Sequence, residues 1–364
     1  MTFSLSAIQK ILQRRKLDGL LITQPENRRY LSGYSATDSS ISETSGVLLI
    51  PAKGTPFLMT DSRFDIHARQ EAKDFEILLY PKGLLILLAS LLPKLGIKRL
   101  GFESHYMLHS AAEKMASKLS KKNIELFPLT DLVEKMRLQK HSEEIDKIQK
   151  SVLLNEEVFQ EIFKDLKPGM TEIEIALQIE TTMRLKGAER PSFDTIVAGG
   201  PNGALPHAVP SRRPLKKGEP IVIDMGLILD GYCSDMTRTV VLGTPDNKTK
   251  KLFRLVRKAQ RAGMAAIKSG VIAKDVDKAA RQVIENAGYG DKFGHGLGHG
   301  VGIAVHELPS LSKRSRKKLK KGMIVTVEPG VYLPGWGGIR LENMVEVRAD
   351  GCRNFNQDTT FLDI

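Results

Sequence analysis

The sequence predicts an α/β domain of about 130 residues followed by a larger α+β domain. Three observations carry this. The first third alternates short apolar runs with segments whose apolar residues fall at helical spacing. A long charged helical stretch begins near residue 131. Beyond it, helices frame a β-hairpin, and the remainder is strand and glycine-rich loop. A chain of 364 residues has room for two hydrophobic cores. The boundary falls between domains 1–132 and 133–364.

Taken in order, 5–16 reads as a helix, 20–23 and 46–51 as strands, and 55–60 as a third strand after a Lys53-Gly54 turn. A helix at 65–72, a strand at 75–80 and a helix at 84–95 follow. A strand at 99–103, a helix to about 119 and a strand at 124–128 complete the first domain. It holds no glycine-rich phosphate loop. Its histidines, His67, His105 and His109, are scattered and read as structural. The charged helical stretch runs to about 167, where Pro168-Gly169 breaks it. Thr171 and Glu174 then form a T-x-x-E capping-box pattern that opens a helix to about 186. A strand at 192–198, an Asn202-Gly203 turn and a loop carrying His207 lead to the hairpin. Helices at 250–269 and 273–287 precede the glycine-rich segment and strands at 323–333 and 339–348. No internal repeat is legible by eye.

Composition narrows the class. Hydrophobic content of 41% and charged content of 27% suit a soluble globular protein. The longest apolar run, 84–92, is far short of the roughly 20 residues of a membrane span and reads as a buried helix. The first 19 residues show no secretory pattern. The two cysteines, Cys233 and Cys352, offer no disulfide framework, so a reducing cytoplasm is the expected location. The net charge of +13 is concentrated in part in KRSRKKLKK, 313–321. With no nucleic-acid module or interleaved aromatics beside it, this run reads as a solvated basic helix face.

The chemistry begins in IVIDMGLILDGYCSDMTRTVVL, 221–242. Asp230-Gly231 is a two-residue turn signal between apolar runs, the strongest short-range hairpin cue. That turn sets Leu229 opposite Tyr232, Gly226 opposite Asp235 and Asp224 opposite Thr237. Asp224 and Asp235 then share a face as diagonal neighbours, roughly 7–8 Å apart at the backbone. Two carboxylates so close repel unless a cation lies between them. A pair of metal ions fits the gap, with Gly226 leaving room. Cys233 on the opposite face is packing.

In GHGLGHGVGIAVHE, 294–307, glycine occupies every second position from 294 to 302. That density disfavours a helix, so His295 and His299 are not a helical zinc pair. Three of the eight histidines, His295, His299 and His306, lie within this segment, which points to metal binding or proton transfer. The strand MIVTVE ends in Glu328, a carboxylate that is costly to bury unless paired or metal-bound. In IRLENMVEV, alternation puts Arg340 and Glu342 on one face. Alone, they would read as a surface ion pair. Together, Asp224, Asp235, His299, Glu328 and Glu342 form an oxygen-rich set with one imidazole. Such a set suits two divalent ions of the Mn²⁺, Co²⁺, Zn²⁺ or Fe²⁺ type.

The three segments IVIDMGLILDGYCSDMTRTVVLG, HGLGHGVGIAVHELP and VTVEPGVYLPGWGGIRLEN, in this order, resemble the pita-bread metallopeptidases. The nearest branch is that of Xaa-Pro dipeptidase (prolidase) and Xaa-Pro aminopeptidase (aminopeptidase P). The resemblance covers the whole chain. It implies a smaller creatinase-like α/β domain ahead of a pita-bread catalytic domain. It implies that Asp224 binds one metal, that Asp235 and Glu342 bridge two, and that His299 and Glu328 complete the first site. Mn²⁺ is the first choice of metal, with Co²⁺ or Zn²⁺ as alternatives. Glu328 would also accept the proton of the metal-activated water. His306 would stabilise the tetrahedral intermediate, and His207 would lie near the substrate and proton path. His295 would be a further site histidine, and Arg340 would support the site or a substrate carboxylate. The implied substrates are Xaa-Pro dipeptides or peptides with proline in second position, and the implied assembly is a homodimer. Three other readings share the fold: creatinase, which works without metal; methionine aminopeptidase, which lacks this leading domain; and a non-catalytic peptide- or nucleic-acid-binding member. Retention of every ligand type argues against the first and third. The choice between dipeptidase and aminopeptidase stays open.

Overall fold

The computed structural model describes residues 2–357, and the chain divides into two compact units between Arg137 and Leu138. The division lies slightly beyond the expected 132/133. The reason is local: Val133 packs into the first core, and buried Arg137 donates to Asn27 Oδ1 at 2.8 Å.

The first unit is built on six strands: β1 (Gly19–Ile22), β2 (Val47–Pro51), β3 (Phe57–Thr60), β4 (Glu76–Leu79), β5 (Arg99–Glu103) and β6 (Glu125–Leu129). They form one mixed sheet in the order β4-β3-β2-β1-β5-β6. Its helices are α1 (Thr2–Arg14), α2 (Pro25–Ser32), α3 (Asp65–Glu71), α4 (Leu84–Lys94), α5 (His109–Ser120) and the short α6 (Glu134–Arg137). Successive strand residues serve opposite faces. Leu20, Ile22, Leu48 and Ile50 pack with Ile8, Leu12, Leu31 and Ala68 of α1 to α3. Leu21, Val47, Leu49 and Met59 pack with Leu88, Leu92, Met115 and Leu119 of α4 and α5. Both faces are covered, which is why the strands read as continuous apolar runs rather than alternating ones. The run expected to be a buried helix is α4, and it is buried on one face only, with Ile86 exposed. Helix α2 has no apolar periodicity to announce it. Its marks are Pro25 at its start and Gly33 at φ 77° just past its end. His67, His105 and His109 each pair with a carboxylate of this unit, as structural histidines do.

The second unit contains α7 (Ser142–Asp165), α8 (Glu172–Leu185), β7 (Arg190–Pro191), β8 (Ile196–Gly199), β9 (Pro220–Met225), β10 (Leu227–Leu229), β11 (Tyr232–Cys233) and β12 (Met236–Val241). These are followed by α9 (Asn247–Ala266), α10 (Ala273–Asn286), β13 (Gly298–Gly300), β14 (Glu307–Leu311), β15 (Ile324–Val327), β16 (Gly330–Leu333), β17 (Gly337–Arg340), β18 (Asn343–Val347) and β19 (Cys352–Asn354). The capping box expected at Thr171 is formed: its hydroxyl accepts from Glu174 N–H and the Glu174 side chain takes the Thr171 N–H.

This unit does contain a repeat, at the level of hydrogen bonds. Gly169 N–H bonds Leu215 O, Glu172 N–H bonds Arg213 O and Ile173 N–H bonds Ser211 O. About a hundred residues on, Gly270 N–H bonds Leu319 O, Ala273 N–H bonds Lys317 O and Lys274 N–H bonds Ser315 O. Isolated bridges Thr171–Pro214 and Ile272–Lys318 match as well. The antiparallel orders β12-β9-β8 and β18-β15-β13 continue the correspondence. The repeat also has a sequence trace: LKKGEPIVIDMG at 215–226 aligns with LKKGMIVTVEPG at 319–330, which sets Asp224 and Glu328 at equivalent positions.

The repeat also explains the basic run. The 313–321 segment is not a helix. It is extended chain whose carbonyls at Ser315, Lys317 and Leu319 receive N–H groups at and just before the start of α10. Its lysine and arginine side chains mostly face solvent, as expected. Among the described residues no helix is long and apolar enough to cross a membrane.

Candidate metal centre

The hairpin forms in the register set by its turn. Asp230 and Gly231 take φ 50° and 83°, the positive pair of a two-residue hairpin turn. Leu229 faces Tyr232, and Asp224 faces Thr237. The hairpin is not one straight ladder, however. Its tip (β10, β11) and its base (β9, β12) belong to different sheets. The break is at Gly226, where the Ser234 hydroxyl takes the Leu227 N–H at 3.1 Å and Ser192 Oγ donates to Ser234 O at 3.0 Å. Gly226 does not leave room for metal. A Cβ there would sit 2.8 Å from Phe193 Cε1 and closer still to Ser234 O and Ser192 Oγ. Glycine is required so that these groups can close the kink, and the kink turns Asp235 inward.

The other acidic groups occupy analogous interruptions. Glu328 follows β15 and precedes Pro329, and Glu342 lies between β17 and β18. His299 is in the middle of β13, where Gly298 and Gly300 let neighbouring backbone approach: a Cβ on either would run into Thr326 or Leu308 carbonyl oxygen.

These residues line one cleft of about 530 Å³. Asp224, Asp235, His299, Glu328, Glu342, His207, His295, His306 and Arg340 all contribute to its wall. Ligand atoms of Asp235, His299 and Glu342 lie within 4.8 Å of one another. His299 Nε2 is 3.6 Å from Asp235 Oδ2 and 3.3 Å from Glu328 Oε1. Its Nδ1–H donates to Gly300 O at 3.1 Å, which leaves Nε2 as the lone-pair nitrogen facing the carboxylates. Glu342 Oε2 accepts from Thr237 Oγ1 at 2.8 Å, and Glu328 Oε1 from Thr326 Oγ1 at 3.2 Å. Glu342 Oε1 and Asp224 Oδ1 are buried with no hydrogen-bond partner.

Arg340 and Glu342 are both buried, so they are not a surface pair. Arg340 reaches instead to Asp224 Oδ2 at 2.7 Å. It also donates to Thr237 Oγ1, to Pro206 O and to Tyr332 Oη, the last at 2.9 Å. Tyr332 Oη–H in turn meets His295 Nε2 at 2.9 Å, while His295 Nδ1–H donates to Gly296 O at 2.8 Å. The rings of His299 and His306 lie 4.3 Å apart, and His306 and His207 stand exposed at the cleft.

The electrostatics state what the site lacks. Burial, reinforced by Asp224 and Glu328, holds the Asp235 carboxyl far above its usual range. Burial and the Asp235, Glu328 and Asp224 charges do the same to Glu342. Burial pushes Glu328 up to about 8, with Asp224 adding to it and Arg340 opposing. Burial pushes His299 down to about 4, with His306 adding to it, so its ring is neutral near neutral pH. Burial likewise lowers His295 to about 4 and raises Tyr332 to about 12. Three carboxylates that resist ionisation together, a neutral imidazole and two orphaned carboxylate oxygens form a donor set short of positive charge. One arginine does not meet that need; divalent metal ions fit it.

Thr237, Thr326 and Tyr332 went unrecognised in the sequence. Their signal is the strand period of two: Thr237 follows Asp235 by two, Thr326 precedes Glu328 by two, and Tyr332 follows Glu328 by four.

Comparison with known proteins bears on the same residues. Residues 146–349 match metallopeptidase family M24, and residues 5–139 match the creatinase/prolidase N-terminal domain. The chain is 32% identical over 353 residues to an Xaa-Pro dipeptidase of Pyrococcus furiosus, covering 97% of each. It is 38% identical over 360 residues to an uncharacterised peptidase of Bacillus subtilis, covering 99% of each. Among solved structures, it is similar to an Xaa-Pro dipeptidase from Bacillus anthracis, with TM-score 0.91, 35% identity and 98% of each chain covered. An X-Pro aminopeptidase from Thermotoga maritima is similar at TM-score 0.86 and 36% identity, over 94% of this chain and 96% of the other. The architecture is thus the creatinase-type N-terminal domain followed by the pita-bread domain.

Proposed function

This chain belongs to metallopeptidase family M24, and on that premise we propose that it is a dinuclear-metal exopeptidase cleaving the bond between an N-terminal residue and proline. The observation that carries this reading is the convergence of Asp235, His299 and Glu342 within 4.8 Å, beside Asp224 and Glu328 in the same cleft. The choice of proline is supported by relatives named as Xaa-Pro dipeptidase and X-Pro aminopeptidase, each aligned along nearly the whole chain.

In this reading the four carboxylates and His299 hold two divalent ions, Mn²⁺ by first choice and Co²⁺ or Zn²⁺ as alternatives. Such ions, when bound, acidify water and polarise the scissile carbonyl. Glu328 accepts a proton from the attacking water and delivers it to the departing proline nitrogen. His306, close to His299, donates a hydrogen bond to the oxygen that gains charge in the tetrahedral state. His207 shares that end of the cleft and orients the substrate. Arg340 holds Asp224 in place, and Tyr332 links Arg340 to His295, so these groups keep fixed positions during turnover.

The test is Glu328→Gln. The variant, folded and loaded with Mn²⁺, is expected to lose at least about 100-fold in kcat on an Xaa-Pro dipeptide, the lower range for a general acid–base group. Retention of the wild-type rate would sink the assignment. Parallel assays on an Xaa-Pro dipeptide and an Xaa-Pro tripeptide distinguish dipeptidase from aminopeptidase, and light scattering on the eluting protein tests the homodimer.

A further inference from the structure

We propose that Glu172 is a positioning residue of this site, clamping the 199–211 loop and thereby fixing His207 in the cleft. The role of His207 rests on the peptidase reading above. Glu172 is the first residue of α8 and is fully buried. Its Oε1 accepts from the Gly199 N–H at 2.9 Å and from Asn202 Nδ2 at 3.1 Å. Its Oε2 accepts from Asn202 Nδ2 at 2.9 Å, from the Ser211 N–H at 3.0 Å and from Ser211 Oγ at 2.6 Å. Gly199 and Ser211 are the two ends of the loop and Asn202 lies within it. One carboxylate therefore draws both ends to the start of one helix.

His207 depends on that loop. It lines the cleft but is exposed, and its ring has no hydrogen-bond partner among the described residues. On either side of it, Arg340 Nη1 donates to Pro206 O at 3.2 Å and Ala208 packs against Ile196 and Ala198. The loop also rests on β17, where Gly337 and Gly338 lie so close to the Gly200 and Gly203 carbonyls that a Cβ on either glycine would collide with them. Because β17 ends at Arg340, the loop, His207 and Arg340 are held to one another.

The fold itself does not require this carboxylate. In the matching half of the repeat, the start of α10 makes the same backbone hydrogen bonds with Ala273 at the position of Glu172, and Ala273 is just as buried. A buried carboxylate is costly unless hydrogen-bonded throughout. Here its partners are the loop, and the loop carries the histidine.

The experiment is a double-mutant cycle on the Mn²⁺-loaded enzyme with an Xaa-Pro dipeptide, using Glu172→Ala, His207→Ala and the double variant. Hydrogen exchange of 199–211 and the Mn²⁺ titration are followed in parallel. Ser211→Ala, which removes one donor, serves as the milder variant should Glu172→Ala fold poorly. The expected result is faster exchange confined to the loop, unchanged Mn²⁺ binding, and a loss in kcat/KM of up to about 100-fold, the scale for a group displaced by about 1 Å. The double variant should lose no more than about 3-fold beyond His207→Ala, because coupled groups are non-additive. Fully additive losses, or loop exchange unchanged by Glu172→Ala, would overturn the clamp. If the wild type fails to cleave the dipeptide, the peptidase reading falls instead, and loop exchange still decides the clamp.

Discussion

Gly226→Ala is a small change with a calculable consequence. The new methyl would lie 2.8 Å from Phe193 Cε1, where ordinary contacts begin at 3.4 Å, and nearer still to Ser234 O and Ser192 Oγ. The Phe193 ring must give by at least about 0.6 Å, and the chain at Ser234 by more. Ser234 O belongs to backbone, so no side-chain rotation relieves it. Overpacking of this kind costs about 1–3 kcal/mol. For a unit of this size each kcal/mol moves the melting temperature by about 2–4 °C, so the fall is roughly 2–12 °C. Asp235 follows Ser234 directly, and a shift near 1 Å at a reacting centre can cost about 100-fold. Thermal melts of the metal-free protein and kcat/KM of the Mn²⁺-loaded protein measure the two effects. Gly351→Ala is the control: a Cβ there meets nothing within 4 Å, and surface changes of this kind stay within about 0.5 kcal/mol. A Gly226→Ala protein that melts and turns over like wild type would refute the reasoning that glycine closes the kink and aims Asp235.

Further outcomes follow from other parts of the molecule. Mn²⁺ at about 100 times its Kd should add about 2.7 kcal/mol to the folded state. That is roughly 5–11 °C in the melt, reversed by EDTA and largely lost in Asp235→Asn. Lys140 and Glu307 form a buried ion pair at 3.0 Å, with Glu307 directly after His306; Lys140→Met should destabilise by about 3–5 kcal/mol in denaturant melts. Asp246 caps α9 by accepting the Thr249 N–H at 2.7 Å, so Asp246→Ala should cost about 1 kcal/mol at neutral pH. That hydrogen bond holds the Asp246 carboxyl below its usual range. The cap's contribution is therefore complete above about pH 4 and lost as pH falls through the lowered value, so wild type and variant should converge in acid.

Legibility varied with the range of the interactions. The Asp230-Gly231 turn is local chemistry, and it set the register that places Asp224 opposite Thr237. The kink within the same hairpin was not legible, because it depends on Ser192, more than thirty residues away, and on the Ser234 hydroxyl replacing a ladder partner. Glu342 and Arg340 looked like partners by alternation, yet Arg340 pairs with Asp224 across 116 residues of chain. Glu172 occupies an unspecified position of the T-x-x-E pattern and carries no local signal, since its bonds reach residues 27 to 39 positions on. The repeat is legible only in LKKGEPIVIDMG and LKKGMIVTVEPG, about a hundred residues apart; elsewhere, as at the helix starts, it keeps backbone bonds while pairing glutamate with alanine. The basic run misled for a related reason: its helix-like composition is overruled by carbonyls engaged at the start of α10.

The central claim is metal-dependent cleavage next to proline, and one assay tests it directly. Purified protein is stripped with EDTA, reloaded with Mn²⁺, and given an Xaa-Pro dipeptide beside its Xaa-Ala analogue. The account predicts hydrolysis of the proline dipeptide by the reloaded enzyme alone, with the Xaa-Ala analogue cleaved far more slowly. Hydrolysis that survives metal removal, or equal rates on both dipeptides, would contradict it.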